Sequence, residues 1–281
     1  MTNVTIIIPA ENVAEVKSYY RDVLLFVEED GVFLLPVGNS SIALQVMAVT
    51  QESMQRYPPK KNFPIFNCMV EKNFLSYCWM IYQNGGLFDE VCKCEEGYYA
   101  RVRDPADNLF EISCASFDED SAGFDVEEIS KCLKLTFKRS QSCMKASPSV
   151  FIILPVDNCA EAKLYYRDVL SFKEMNGLLY LPVDNFAACI KLTKIDEQEE
   201  KFFPPERRYM SFSYALERNF LSHCLTMYKK GALFDTACEL PGGYFARVYD
   251  PAGNQFEIFC ESFDEDDDAV SSAEMPFFFR Y

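Results

Sequence analysis

At 281 residues, with 49% hydrophobic and 15% aromatic content, the chain has room for two domains that each bury a core, and it is not a disordered protein. A formal net charge of −16 excludes nucleic acid as an expected partner, because phosphate binding needs clustered Lys and Arg. No apolar run is long enough to span a membrane, and no basic region followed by an apolar core opens the sequence, so no membrane contact and a cytoplasmic location are expected.

The first predicted element is a β-branched strand, Val4 to Ile8, ended by Pro9. A helix follows, opened by Asn12 with Glu15 three residues on in the manner of a capping box. Its apolar positions Val13, Val16, Tyr20, Val23 and Leu24 fall near helical spacing and give one buried face. Short strands are predicted near Leu25 to Glu28, Gly31 to Pro36 and Ser41 to Val46, then a polar loop from Gln51 to Asn62 with Pro58-Pro59. The order then repeats: strand Ile65 to Val70, a helix from Asn73 with Leu75, Cys78, Trp79 and Tyr82 on one side, and a stop at Asn84-Gly85-Gly86. Strands follow near Leu87 to Cys92, Tyr98 to Arg103 and Leu109 to Cys114.

From Val150 the whole pattern begins again. Tyr19-Tyr20-Arg21-Asp22-Val23-Leu24 returns as Tyr165-Tyr166-Arg167-Asp168-Val169-Leu170, and Asp104-Pro105-Ala106 as Asp250-Pro251-Ala252, both 146 residues later without a gap. A repeat of this length is a duplicated domain, not a solenoid unit. The predicted organisation is a domain over 1–120, a linker over 121–147, a second domain over 148–266 and an acidic, aromatic tail over 267–281. The linker carries an amphipathic stretch, Glu128 to Phe137, and the terminal aromatics from Phe277 are expected to dock on their own domain. The twelve cysteines sit mostly in apolar segments and read as buried thiols. Cys92-Lys93-Cys94 has no second pair, and the repeat keeps only Cys238, so no metal site is read there.

Paired strand-helix-strand-strand-strand modules resemble the vicinal oxygen chelate superfamily, which includes glyoxalase I, extradiol dioxygenases and bleomycin-resistance proteins. Two motifs carry the likeness. One is the Tyr-Tyr-Arg-Asp-Val-Leu helix end; the other is the hairpin Asp104-Pro105-Ala106-Asp107-Asn108-Leu109-Phe110-Glu111, repeated at Asp250 to Glu257 with Gly253 restored. The resemblance covers about 240 residues and implies an α+β fold. It implies two tandem domains, each of two βαβββ modules forming a curved mixed sheet with a concave groove. The two domains would form an intramolecular pseudo-dimer.

In metal-dependent members of the superfamily, a histidine or glutamine on the first strand of each half and carboxylates further on hold the ion. Here the corresponding first-strand positions are Thr5 and Phe151, and the opening strand of the second half offers Ile65 and Ser211. The middle position falls at Leu44 or Gln45, and at Ile190 or Lys191. Only the final glutamates, Glu111 and Glu257, persist, with Gln45 as one further candidate ligand. A lone carboxylate holds a divalent ion poorly, so no metal and no cofactor are expected. His223, the single histidine, falls inside a helix and off the ligand strands.

Folding the chain back about Asp104 to Asn108 sets Arg101 opposite Glu111, and the same count sets Arg247 opposite Glu257. The arginine is expected to take over the charge role of a metal. Tyr99 and Thr5 should join the groove of the first copy, and Phe245, Tyr249, Phe151 and Phe259 that of the second. An aromatic concavity with a few fixed charges is the usual make-up of a small-molecule site. The resulting expectation is a metal-free binding protein of the bleomycin-resistance type for a small organic ligand, cationic or aromatic. The alternatives are a metal-dependent lyase, isomerase or dioxygenase, or a scaffold that has retired its pocket.

Overall fold

The computed structural model describes residues 4–35, 42–49, 63–117, 126–137, 149–183, 188–195, 210–263 and 275–279. The Pro58-Pro59 loop, the acidic runs at 118–120 and 264–268, and Arg280-Tyr281 lie outside them.

Strand β1 (Val4–Ala10) is buried along almost its whole length, which explains its β-branched, charge-free sequence. Helix α1 (Val13–Ser18) starts where the capping pattern predicts, with Asn12 Oδ1 accepting from Glu15 N at 3.2 Å. Its counterpart α4 (Cys159–Leu164) is capped by Asn158 in the same way. Regular helical spacing fails beyond these points. Tyr19–Val23 and Tyr165–Val169 form wider turns, with Leu24 N bonded to Tyr19 O and Leu170 N to Tyr165 O, five residues back. The extra residue per turn changes which side chains face inward, and both Tyr19 and Tyr20 become buried.

Strands β2 (Val27–Glu29), β3 (Val32–Leu34) and β4 (Ile42–Ala48) complete the first module. The second contains β5 (Pro64–Met69), α2 (Phe74–Gln83), β6 (Leu87–Cys94), β7 (Gly97–Arg103) and β8 (Leu109–Cys114). Helix α2 buries Leu75 and Cys78 as predicted, but with Phe74 and Ile81 in place of Trp79 and Tyr82. Trp79 and Tyr82 stack on each other at 5.6 Å, and Tyr82 is exposed. The stretch after the first copy forms α3 (Val126–Cys132) and β9 (Thr136–Phe137).

The second copy supplies β10 (Val150–Val156), β11 (Lys173–Met175), β12 (Leu178–Tyr180), β13 (Ala188–Lys194) and β14 (Met210–Leu216). Helix α5 (Phe220–Lys229), β15 (Leu233–Leu240), β16 (Gly243–Tyr249), β17 (Gln255–Cys260) and β18 (Phe278–Phe279) complete it.

The strands form two nine-stranded sheets, ordered β18-β15-β16-β17-β14-β1-β4-β3-β2 and β11-β12-β13-β10-β5-β8-β7-β6-β9. Each sheet therefore holds two modules, but one from each copy rather than both from the same copy. By compactness the chain divides into unit 1 (residues 1–7 and 152–281) and unit 2 (residues 8–151). The opening residues of the chain thus belong with the second copy: Val4, Thr5 and Ile6 pair antiparallel with Tyr214, Ser213 and Phe212.

The Asp-Pro hairpin ties each unit together. In unit 2, Asp104 Oδ1 accepts from the backbone N of Ala106 and Asn108, both at 2.9 Å. Its Oδ2 accepts from Asn108 Nδ2 and Tyr20 OH, and Asn108 Nδ2 also donates to Pro9 O at 2.9 Å. Unit 1 repeats this with Asp250, Asn254, Tyr166 and Pro155. The preceding tyrosines brace the next strand, since Tyr19 OH accepts from Leu87 N and Tyr165 OH from Leu233 N. The two motifs that carry the family likeness are thus structural devices that fasten helix, hairpin and first strand. Each outer edge near the hairpin is covered alike, by β9 lying parallel to β6 and by β18 lying parallel to β15. In the tail, Phe277 stacks on Phe234 at 4.2 Å and Met275 is buried, so those residues dock on their own unit.

Candidate functional site

The hairpin register sets a row of side chains across each sheet. In unit 2, Asn67 lies opposite Glu111 and Glu111 opposite Arg101. Met69 N donates to Ser149 O at 2.8 Å, and the antiparallel register carried on from that bond puts Phe151 beside Asn67. In unit 1 the matching row is Thr5, Ser213, Glu257 and Arg247. Cross-strand neighbours share a face of the sheet, so each arginine and glutamate project on the same side.

Two sequence expectations change here. Thr5 belongs with Glu257 and Phe151 with Glu111, the reverse of the grouping by copy, because β1 and β10 each join the other copy's second module. The opening-strand position lies two residues beyond Ile65 and Ser211, at Asn67 and Ser213, since the β5–β8 and β14–β17 pairings are irregular at their start. Gln45 is exposed on β4, and Lys191 is half-buried on β13.

In unit 2 the glutamate is held on both oxygens. Tyr99 OH donates to Glu111 Oε1 at 2.5 Å, and Arg101 NH2 lies 3.4 Å from the same oxygen. Arg101 Nε reaches Tyr99 OH at 2.6 Å. Asn67 Nδ2 donates to Glu111 Oε2 at 3.4 Å, and Asn67 Oδ1 accepts from Ser113 Oγ at 2.8 Å. Burial, with the Glu111 charge beside it, pushes the Tyr99 phenol well above its ordinary value, so it stays a donor. A neighbouring ion pair joins Arg103 to Asp89 at 2.6 Å.

In unit 1 position 245 is phenylalanine, which has no hydroxyl to offer. Arg247 instead reaches Glu257 Oε1 directly, from Nε at 3.1 Å and NH2 at 2.8 Å. Arg247 NH1 lies 3.6 Å from Asp235 Oδ2, because Tyr249 stands where unit 2 has Arg103. Burial raises the Glu257 carboxyl above its usual value, and the guanidinium partly offsets that rise. Phe245 and Phe259 pack at 5.2 Å, Arg247 lies over the Phe245 ring at 5.6 Å, and Gln255 Nε2 donates to Tyr249 OH at 2.9 Å.

Sequence reasoning missed Asn67, Ser113, Ser213 and Asp235. A signal existed for Asn67 and Ser213: each is a polar residue within a strand whose neighbours are largely apolar, at the same place in both copies. His223 is half-buried, with Nε2 3.1 Å from Tyr214 OH, and belongs to the packing of α5.

Neither row suits a divalent cation. Unit 1 offers two hydroxyls and one carboxylate already bonded to a guanidinium, and unit 2 offers an amide and a carboxylate beside Phe151. Among the described residues, no group of three or more His, Cys, Asp or Glu could hold a metal ion. No described helix is long and apolar enough to cross a membrane.

No family model and no curated protein matches the sequence. Solved structures do match. Glyoxalase I from Zea mays superposes with a TM-score of 0.59 at 12% identity, over 92% of this chain and 92% of that one. A putative dioxygenase from Bacillus subtilis gives 0.54 at 12% identity, over 100% and 92%. The cppA protein from Streptococcus pneumoniae gives 0.51 at 14% identity, over 92% and 98%. With its paired βαβββ modules and these likenesses across its length, the chain has the fold of the vicinal oxygen chelate superfamily.

Proposed function

We propose that this protein binds a small organic ligand on the sheet face bearing the Arg–Glu row, and that it does so without a metal ion. The observation that carries the reading is the guanidinium bonded to the one carboxylate of the row, 2.8 Å away in unit 1. A divalent ion there would have to displace a fixed positive charge and then bind a set of poor ligands. The half-buried aromatic side chains beside the pair in unit 1, Phe245 and Phe259, supply apolar contact area of the kind a small ligand uses.

The test is elemental analysis of the purified full-length chain, joined to a thermal-shift screen of cationic aromatics and glutathione-derived thioesters. The expected result is substoichiometric Ni, Zn, Mn and Fe, with at least one compound raising Tm equally with and without chelator. Stoichiometric metal, or ligand stabilisation abolished by the chelator, overturns this reading in favour of glyoxalase- or dioxygenase-type chemistry.

A further inference from the structure

We infer that the two rows are not equivalent sites: unit 1 takes the ligand, one per chain, through an N–H donor of a flat aryl cation bonded to Glu257 Oε2. This inference rests on the small-molecule reading above and narrows it to one unit and one ligand chemistry.

The two rows differ at four positions, with Phe151 for Thr5, Asn67 for Ser213, Tyr99 for Phe245 and Ser113 for Phe259. In unit 2 these residues close the site. Glu111 receives Tyr99 and Arg101 on one oxygen and Asn67 on the other, and Ser113 holds Asn67 in turn. A ligand entering there would have to break bonds already made, and Phe151 at 2% exposure offers no polar group in exchange.

In unit 1 the same exchanges open it. Both Arg247 bonds fall on Glu257 Oε1, and no described residue donates to Oε2. Ser213 stands where Asn67 does, but its shorter side chain makes no bond to the carboxylate. The Glu257 side chain is only 8% exposed, and Oε2, which no described residue reaches as a donor, is the oxygen left open to solvent or to a ligand. A ligand donor placed there replaces water on an ionised acceptor, and the bond is charge-assisted. Charge points the same way, since the single guanidinium of Arg247 faces two carboxylates, Glu257 and Asp235. The tilted Phe245–Phe259 pair beside it provides the surface for a flat ring, and the half-buried Thr5 hydroxyl borders the row on the far side.

The experiment titrates benzamidine into the ¹⁵N-labelled full-length chain, with benzoate as the matched anion. The expected result is one equivalent per chain, with saturable shifts at the amides of Ser213, Glu257 and Phe259, and benzoate at least tenfold weaker. Glu257→Gln should weaken benzamidine at least tenfold. Two transplants keep the test independent of that variant's folding. Phe245→Tyr with Ser213→Asn should abolish binding, and reversing all four exchanges in unit 2, Tyr99→Phe with Asn67→Ser, Phe151→Thr and Ser113→Phe, should raise the stoichiometry to two. Two equivalents on the native chain, shifts confined to Asn67 and Glu111, or benzoate binding as tightly as benzamidine would overturn the inference while leaving ligand binding intact. Absence of binding by benzamidine and by every compound of the thermal-shift screen would overturn the functional reading itself.

Discussion

Unit 1 and unit 2 fasten their Asp-Pro hairpins with the same atoms and then treat the glutamate three residues beyond Asn108 or Asn254 quite differently. The Asn–Asp–Pro carbonyl clasp is matched to within 0.2 Å in its common bonds, whereas the partners of Glu111 and Glu257 share only the arginine. The difference separates two demands on one motif. The clasp joins elements that every copy must join, so both copies keep it. The row beside it carries no element, so substitutions there alter the chemistry of the face without altering the fold.

The largest effect should therefore be common to both units. Asn108→Ala and Asn254→Ala each remove a buried amide that bridges an aspartate and the proline carbonyl of the first strand. Two buried acceptors lose a donor in either case, at an expected cost on the order of 4 kcal/mol. Urea denaturation of the two variants should give nearly equal losses. A difference of more than half between them would show that the frameworks are not equivalent after all.

Acid should separate the units by a smaller amount, because the chain's one histidine, the half-buried His223, lies in unit 1. His223 stays neutral down to about pH 4, chiefly through burial and then through the positive charge of Lys230, against an ordinary value of 6.5. The unfolded chain thus takes up this proton more readily than the folded one. The contribution is complete above pH 6.5 and is lost as pH falls towards 4, at about 3 kcal/mol over the window. Asp104 in unit 2 runs the other way. Burial raises it to about 6 against its hydrogen bonds from Asn108, Ala106 and Tyr20, so the folded state gains stability as pH falls from 6 towards 3.8. Stability measured from pH 7 to pH 4.5 should change little in the native chain, rise on acidification in His223→Gln and fall in Asp104→Asn. A native profile steeper than either variant's would contradict the assignment.

Sequence alone was enough to read the repeat, the capping residues, the hairpin register and the Arg–Glu pairs, because each depends on local spacing or on one short turn. Three features were out of its reach. The wider turns at Tyr19–Val23 and Tyr165–Val169 shift the phase of a helix without changing its composition. The exchange of modules between sheets is a long-range choice, since β1 is equally apolar whichever second module it joins. Half of the α2 face was misread: Leu75 and Cys78 point inward as expected, but Trp79 and Tyr82 stack on each other on the outside, while Phe74 and Ile81 take the interior. Asn67 and Ser213 were missed for another reason: the irregular start of the β5–β8 and β14–β17 pairings moves the residue opposite each glutamate two places along, from Ile65 and Ser211.

The finest comparison concerns the arginines themselves. Removing Arg247 leaves Glu257 without any donor among the described residues, whereas removing Arg101 leaves Glu111 still bonded to Tyr99 and Asn67. Both guanidinium groups are about one-third exposed, so water replaces part of what is lost and the cost of truncation stays below that of a fully buried pair. The expected losses are about 2 kcal/mol for Arg247→Ala and about 1 kcal/mol for Arg101→Ala. The cause can be isolated within unit 2, since Tyr99→Phe gives that row the ring found at Phe245. In that background, truncation of Arg101 should cost more than it does in the native chain and approach the Arg247→Ala value. If the Arg101 cost stays the same with and without the tyrosine hydroxyl, Tyr99 does not share the stabilisation of Glu111, and the contrast between the two rows must arise from Asn67 instead.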